Sequence, residues 1–180
     1  MTFETIDEMF VWLDKSRAGV VNQVENLTDE QLNFHEPGRW SVANLVEHLA
    51  MIENGILQMI EKGLSQAEAA PAPAPAKVSP PVSFERFAEI SKTPKIAPDF
   101  VTPTCEMPAH ESLKSLEKSR AELKNLRPRL ESVDLSSASF AHPYFGELNL
   151  YYWIPFIGMH EARHLRQMKD VLTVYKASHQ

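Results

Sequence analysis

A chain of 180 residues is long enough for one sizeable hydrophobic core and too short for two ordinary domains, so we expect a single domain over residues 1–180. Its composition, 43% hydrophobic and 23% charged, is typical of a globular protein and excludes a disordered or fibrous one. The formal net charge is -6 and lysine and arginine are scattered among acidic residues, which argues against nucleic acid or an anionic membrane as a partner.

The N-terminus and the cysteine content predict a cytoplasmic protein. The first residues are acidic where a signal peptide would be basic, and no apolar run approaches the length of about 20 residues that a membrane-spanning helix needs. Cys105 is the only cysteine, so no intrachain disulfide can form and a reduced compartment is expected. No histidine or basic cluster surrounds Cys105 in sequence, and we interpret it as an inert thiol rather than a nucleophile.

The first predicted helix has apolar residues at steps of three and four, the spacing that buries one side of a helix. The residues on this face are Ile6, Phe10, Leu13, Val20, Val24 and Leu27. Arg17 falls on the same face. We interpret it as a side chain that reaches solvent from the edge of the bundle, rather than as a substrate ligand.

A short helical turn and a second long helix follow. Thr28 and Gln31 form a capping-box pattern, and a Pro-Gly pair then reverses the chain. Ser41 is a favourable N-cap for the second helix. The apolar face of this helix comprises Leu45, Leu49, Ile52, Ile56 and Met59. His48 lies on that face and is its polar exception.

A proline-rich connection joins the second helix to the third and covers residues 65–107 in all. Residues 65–83 are rich in alternating alanine and proline, and proline lacks the donor that a helix needs, so we expect an extended, semi-rigid backbone. One short helix is predicted near Phe84–Ile90. A connection this long is typical of a crossover between two parallel helices of a bundle, or of a flap over a site.

Two further helices complete the predicted fold. The third carries Leu113, Leu116, Leu123 and Leu130 at helical spacing. Pro128 is expected to end or bend this helix. The face of the last helix comprises Leu150, Ile154, Ile157, His164, Met168, Val171 and Tyr175, with a kink expected at Pro155 and Gly158. The predicted fold is all-α, a four-helix bundle with a long Pro-rich crossover between helices 2 and 3.

Three histidines on these apolar faces predict a metal site. His160 and His164 are four residues apart, so both side chains stand on one face of the helix. That pair alone would more often be a chance spacing, but His48 adds a third imidazole to the same interior. Three imidazoles without a fourth protein ligand are typical of an open site that water or substrate completes. We predict zinc or nickel, which would lower the pKa of a bound water or thiol.

Glu161 is the candidate catalytic residue. It adjoins His160 and could accept a proton or orient a histidine, although a salt bridge on the helix surface explains it equally well. His142 is interpreted as a residue that caps or packs a loop. The histidines expected to be solvated are His35, His110 and His179. Core packing is the default for the aromatic residues Tyr144, Phe145, Tyr152 and Trp153, with the wall of a pocket as the alternative.

Two segments resemble the DinB/YfiT-like superfamily. The first is WSVANLVEHLA, with a tryptophan, a helix start and then a ligand histidine, and the second is HPYFGELNLYYWIPFIGMHEARHLRQM, with two later ligands. The resemblance covers nearly the whole chain, and both segments occur in the family's order. The alanine- and proline-rich insertion is not part of the family pattern.

The resemblance implies a four-helix bundle, a metal bound by His48, His160 and His164, and often a homodimer. Characterised relatives include thiol-dependent S-transferases and an isomerase that use low-molecular-weight thiols such as mycothiol or bacillithiol. Three functions stay open: a metal-dependent enzyme such as a thiol S-transferase acting on a small-molecule substrate, a non-catalytic metal-binding stress-related or interaction protein, and a metal-dependent hydrolase with Glu161 as its base. The alternative to all three is a helical core in which the histidines bind no metal.

Overall fold

Four long helices form a bundle, joined by a short helix and a small β-hairpin. The computed structural model describes residues 3–76, 78, 89, 97–104 and 107–179. The helices are α1 (Ile6–Val24), α2 (Asp29–Asn33), α3 (Val42–Ala69), α4 (Ala109–Leu130) and α5 (Leu150–Ser178). The strands are β1 (Ser139–His142) and β2 (Gly146–Asn149), and two 3-10 turns lie at Asp99–Val101 and Leu135–Ser137. Helix α1 packs on α5, and α3 packs on both α4 and α5, which confirms the predicted four-helix bundle.

Local sequence signals set the starts of α2 and α3. Thr28 and Gln31 form the predicted capping box, each side chain satisfying the backbone N–H of the other. Ser41 caps α3 as predicted, and Asn44 completes a second capping box that the sequence analysis missed. The chain reverses between the two helices through Gly38, whose φ of 76° lies in the left-handed region that favours glycine.

One predicted helix end was wrong, and the other lies within two residues of its predicted position. The extended segment was expected to begin at Ser65, but α3 continues to Ala69 because alanine, glutamine and glutamate are strong helix formers and the first proline is Pro71. Helix α4 passes through Pro128 and ends at Leu130. The Leu130 side chain is fully buried, so packing of the last turn offsets the hydrogen bond that proline cannot make.

The β-hairpin between α4 and α5 makes the all-α prediction incomplete. The antiparallel register pairs Ser139 with Asn149 and His142 with Gly146. Gly146 has a φ of 74° at the turn. Each strand has only four residues, too few for an alternating pattern to stand out from a loop. The hairpin leads directly into α5.

Only part of the crossover can be described. Residues 97–104 return to the bundle beside α3, where the 3-10 turn buries Val101. Cys105 lies outside the described residues, as does the helix predicted near Phe84–Ile90 apart from Glu89. Among the helices that are described, none is long and apolar enough to cross a membrane.

In the described part of the chain, the bundle core consists of two apolar clusters. One contains Met9, Leu13, Ile56, Ile60, Leu123 and Met159, and the other contains Val20, Leu45, Leu49, Leu116 and Met168. Buried or nearly buried polar side chains lie between the clusters along every long helix. We call this group the polar layer, and its residues are Ser16, Arg17, Glu53, Arg120 and Glu161.

Gly158 lies where α5 packs closely against α1. A Cβ atom there would overlap the Trp12 indole and lie 2.9 Å from Ser16 Oγ. We therefore expect Gly158→Ala to lower the free energy of unfolding by about 1–3 kcal/mol through overpacking, measured by urea denaturation. Gly55→Ala is the matched control, because nothing lies within 4 Å of its added Cβ and alanine is the better helix former. Equal changes in the free energy of unfolding for the two substitutions would contradict close packing of α1 against Gly158.

Candidate metal centre

Three imidazoles from two helices meet at one point inside the bundle. His48 comes from α3, and His160 and His164 come from successive turns of α5. Their candidate ligand nitrogens all lie within 4.8 Å of one another. His48 and His164 are buried and His160 is partly buried. The structure therefore brings together the three residues that the sequence selected.

Hydrogen bonds orient two of the three rings. His48 Nδ1 lies 2.7 Å from the Val101 carbonyl oxygen, and His164 Nδ1 lies 2.5 Å from Gln167 Oε1. Oxygen accepts in both bonds, so each Nδ1 carries the proton and each Nε2 presents a lone pair. Histidine ligands of metals are typically held in this way by a partner of the second ring nitrogen.

The spacing between the two histidines of α5 fits a shared cation. Their Nε2 atoms are 3.0 Å apart. Two nitrogens that each lie about 2.0–2.1 Å from one zinc ion are about 3.3 Å apart at a tetrahedral angle and about 3.0 Å apart at an angle near 95°. A proton between the two nitrogens would give the same distance, but it would leave the Nε2 of His48 unused at the same point. The donor set therefore fits a divalent cation.

Burial keeps these imidazoles neutral at neutral pH, the form that binds metal. It lowers the pKa of His164 to about 3 and holds the pKa of His160 well below its ordinary value. Burial also lowers the pKa of His48, against an opposing effect of its bond to Val101. The positive charge of Arg163 contributes to the lowering in all three.

Aromatic side chains surround the histidines. The Trp40 ring centroid is 4.9 Å from that of His48, and Phe156 stacks on His160 at 5.8 Å. His142 contacts Phe156 at 4.9 Å and accepts a hydrogen bond from the Tyr144 backbone N–H, so it packs a loop as predicted. Burial lowers the pKa of His142 to about 4.

The remaining candidates lie elsewhere. Tyr152 and Trp153 were predicted to pack in the core, and both are buried in the apolar cluster that contains Met9 and Leu13. Phe145 packs against that cluster, whereas Tyr144 is 44% exposed. The histidines predicted to be solvated are exposed, namely His35, His110 and His179.

Comparison with known proteins identifies the family. The family model of the DinB superfamily matches residues 13–168. The chain belongs to the DinB superfamily. The protein YuaE of Bacillus subtilis is 29% identical over 160 residues, which cover 88% of this chain and 93% of YuaE.

Two solved structures share the fold of this chain. TT2238, a four-helix bundle protein, superposes with a TM-score of 0.60 at 23% identity, covering 92% of this chain and 99% of TT2238. YfiT from Bacillus subtilis, described as a probable metal-dependent hydrolase with an unusual four-helix bundle topology, gives a TM-score of 0.59 at 21% identity, covering 92% of this chain and 84% of YfiT. At these identities the likeness establishes the fold alone.

Glu161 of this DinB protein belongs to the polar layer. Its side chain is 1% exposed, so the interpretation as a surface salt bridge was wrong. Oε1 accepts from Arg17 Nε at 2.6 Å, Oε2 accepts from Ser16, and Arg120 Nη2 lies 3.4 Å from both oxygens. A role for Glu161 as proton acceptor or partner of a metal-bound histidine stays a prediction, and these contacts favour a structural role.

Arg17 was also misinterpreted. Instead of reaching solvent, its side chain is 11% exposed and pairs with Glu53 and Glu161 across the bundle. Arg120 completes the set, with its Nε 3.3 Å from Glu53 Oε1. The usable signal in the sequence was the position of these charges: Arg17, Glu53 and Arg120 each occur between apolar residues at core spacing.

Proposed function

We propose that this protein is a metal-dependent enzyme in which His48, His160 and His164 hold one divalent cation, zinc or nickel, and that it catalyses thiol-dependent S-transfer. The observation that carries the proposal is the convergence of three buried or partly buried imidazoles, whose candidate ligand nitrogens lie within 4.8 Å of one another and two of which have Nε2 left as the electron-pair donor. Three ligands leave coordination positions for a cosubstrate. A divalent cation there would lower the pKa of a thiol or water that reaches it, so that a nucleophile forms near neutral pH.

The protein's own residues prepare this site. Val101 and Gln167 fix the rings of His48 and His164, so the ligand nitrogens need little rearrangement when a cation enters. Trp40 and Phe156 cover two of the rings with apolar surface and limit the access of water. Nucleophiles are favoured by such exclusion because a smaller hydration shell has to be removed before attack.

The surroundings of the histidines favour a thiol over water as the nucleophile. Among the described residues, no carboxylate belongs to the histidine cluster, and Glu161 is bonded to two arginines. Free water has a pKa near 16, which a bound divalent cation lowers to about 7, and hydrolysis still benefits from a base that accepts the remaining protons. A thiol has a pKa of about 8.5 and ionises more readily without one. This difference supports S-transfer as the first candidate.

Hydrolysis is the second candidate, favoured by the shared fold with YfiT, the probable metal-dependent hydrolase.

Two assays separate the candidates. S-transfer is followed with a small thiol and monobromobimane, from which the thiolate sulfur displaces bromide, and hydrolysis with p-nitrophenyl esters. If Glu161 is a base, Glu161→Gln lowers ester hydrolysis while the metal stays bound. A metal-binding protein without catalysis would gain stability from metal and turn over neither substrate.

Metal content gives the direct test of the site. We expect about one zinc or nickel ion per chain by elemental mass spectrometry of the untagged protein, and almost none in a His160→Ala, His164→Ala double variant, because two of the three ligands are gone. The matched control is a His35→Ala, His110→Ala double variant, which removes two exposed histidines outside the site. Absence of a bound ion after zinc or nickel is supplied, or equal content in both variants, refutes the metal centre.

A further inference from the structure

A groove lined mainly by cations lies beside the metal centre on α5. It is open to solvent and has a volume of about 330 Å³, and its lining residues, all on α5, are Arg163, Arg166, Gln167, Lys169 and Asp170. Three of these side chains are positive and one is negative, in a chain whose formal net charge is -6. The groove is therefore a local site of positive charge on an acidic protein, which attracts small anions.

Helical geometry makes this groove continuous with the histidines. His160, Arg163, His164 and Gln167 occupy positions i, i+3, i+4 and i+7, so they form one stripe along α5. Gln167 belongs to both features, because it lines the groove and its Oε1 accepts the hydrogen bond from His164 Nδ1 at 2.5 Å. A small molecule bound at the histidines is therefore within reach of the groove.

Arg163 differs from the two arginines of the polar layer. Arg17 and Arg120 are both paired with Glu53 and Glu161. Arg163 is partly buried, and within the described ranges no hydrogen bond or ion pair to a carboxylate is found for it. A guanidinium withdrawn from water without an anion is costly, and a carboxylate that accepts two of its N–H groups would offset that cost.

We propose that Arg163 is a specificity-determining residue that binds a carboxylate of the small thiol cosubstrate. The inference rests on the proposed function, since it places the thiol sulfur at the histidines and the carboxylate in the adjoining groove. Arg163 presents a planar fork of donors that matches a carboxylate better than the single ammonium of Lys169 does.

The test compares two thiols that differ in one charge. Protein loaded with cobalt(II) is titrated with 3-mercaptopropionate and with its neutral amide, 3-mercaptopropionamide, and the charge-transfer absorption from sulfur to cobalt reports binding. We expect the carboxylate to bind about tenfold more tightly, the lower end of what a charge-assisted hydrogen bond contributes. Arg163→Met should abolish this preference and leave the cobalt content and the affinity for the amide unchanged.

Lys176→Met is the matched control. It removes a positive charge from the same helix at an exposed position, about 20 Å further along α5. It should keep the full preference for the carboxylate. If cobalt-loaded protein binds the two thiols equally, or binds neither, the proposed role of Arg163 is wrong, whereas the proposed metal centre is unaffected. An Arg163→Met variant that keeps the preference overturns that role too. Protein that takes up no cobalt overturns the proposed metal centre, and this inference with it.

Discussion

Replacing Glu53 by alanine is expected to lower the free energy of unfolding by about 3–5 kcal/mol, measured by urea denaturation at pH 7. Glu53 pairs with Arg17 and Arg120 in the polar layer, where all three side chains are nearly or fully buried. Its loss would leave two buried guanidinium groups to share the Glu161 carboxylate. The cost arises from this uncompensated positive charge.

Glu68→Ala is the matched control for this effect. Glu68 lies on the same helix and accepts two hydrogen bonds from Arg129, at 2.8 and 2.7 Å, but at the surface. Water replaces the lost partner there, so the stability should change little. Equal losses in the two variants would contradict the distinction between a buried and an exposed ion pair.

A large loss on removing Glu53 does not make the polar layer a net source of stability. Burial raises the pKa of Glu53, and the nearby charges of Arg120 and Arg17 only partly oppose that effect. The free-energy cost of removing water from the Glu53 carboxylate is therefore larger than the stabilisation that this carboxylate gains from the two arginines. The layer is better explained by specificity: Glu161 adjoins His160, and its bonds to α1 and α4 fix the rotation of α5 that directs His160 and His164 inward.

The parts of the fold that the sequence predicted are those encoded by local signals. Capping residues such as Thr28 and Ser41 act within one helical turn, and the positions of His48 and His164 on apolar faces follow from helical periodicity. The convergence of the histidines could be predicted because a bundle has one interior. The metal, the cosubstrate and the reaction do not follow from this geometry, since one open imidazole site supports several chemistries.

Long-range pairing was beyond sequence reasoning. Arg17 has partners 36 and 144 residues away, so no local pattern distinguished a buried ion pair from an arginine at the edge of the bundle. The buried pairing of Glu161 was not predicted for the same reason, because its partners come from α1 and α4. The hydrogen bond between His48 and the Val101 carbonyl joins residues 53 positions apart and connects the crossover to the site. The Pro-rich sequence of the crossover contains no pattern that predicts this contact.

The metal-free protein is expected to lose stability as the pH falls below 6.5. The ordinary pKa of histidine is 6.5, whereas burial lowers that of His164 to about 3 in the folded state. Between these values the unfolded chain binds a proton that the native state excludes, so the free energy of unfolding rises with pH across this window and levels off above it. The contribution of His164 is on the order of 5 kcal/mol at most, and His160, His48 and His142 act in the same direction.

Urea denaturation at pH 7 and at pH 4.5, in the presence of a chelator, measures this loss. His164→Gln removes the titrating group, so its stability should fall less between the two pH values than that of the wild type. His110→Gln removes an exposed histidine and should follow the wild type. A His164→Gln variant with an unchanged pH dependence would show that His164 is protonated in the folded protein at its ordinary pKa, and a buried neutral ligand set would then be excluded.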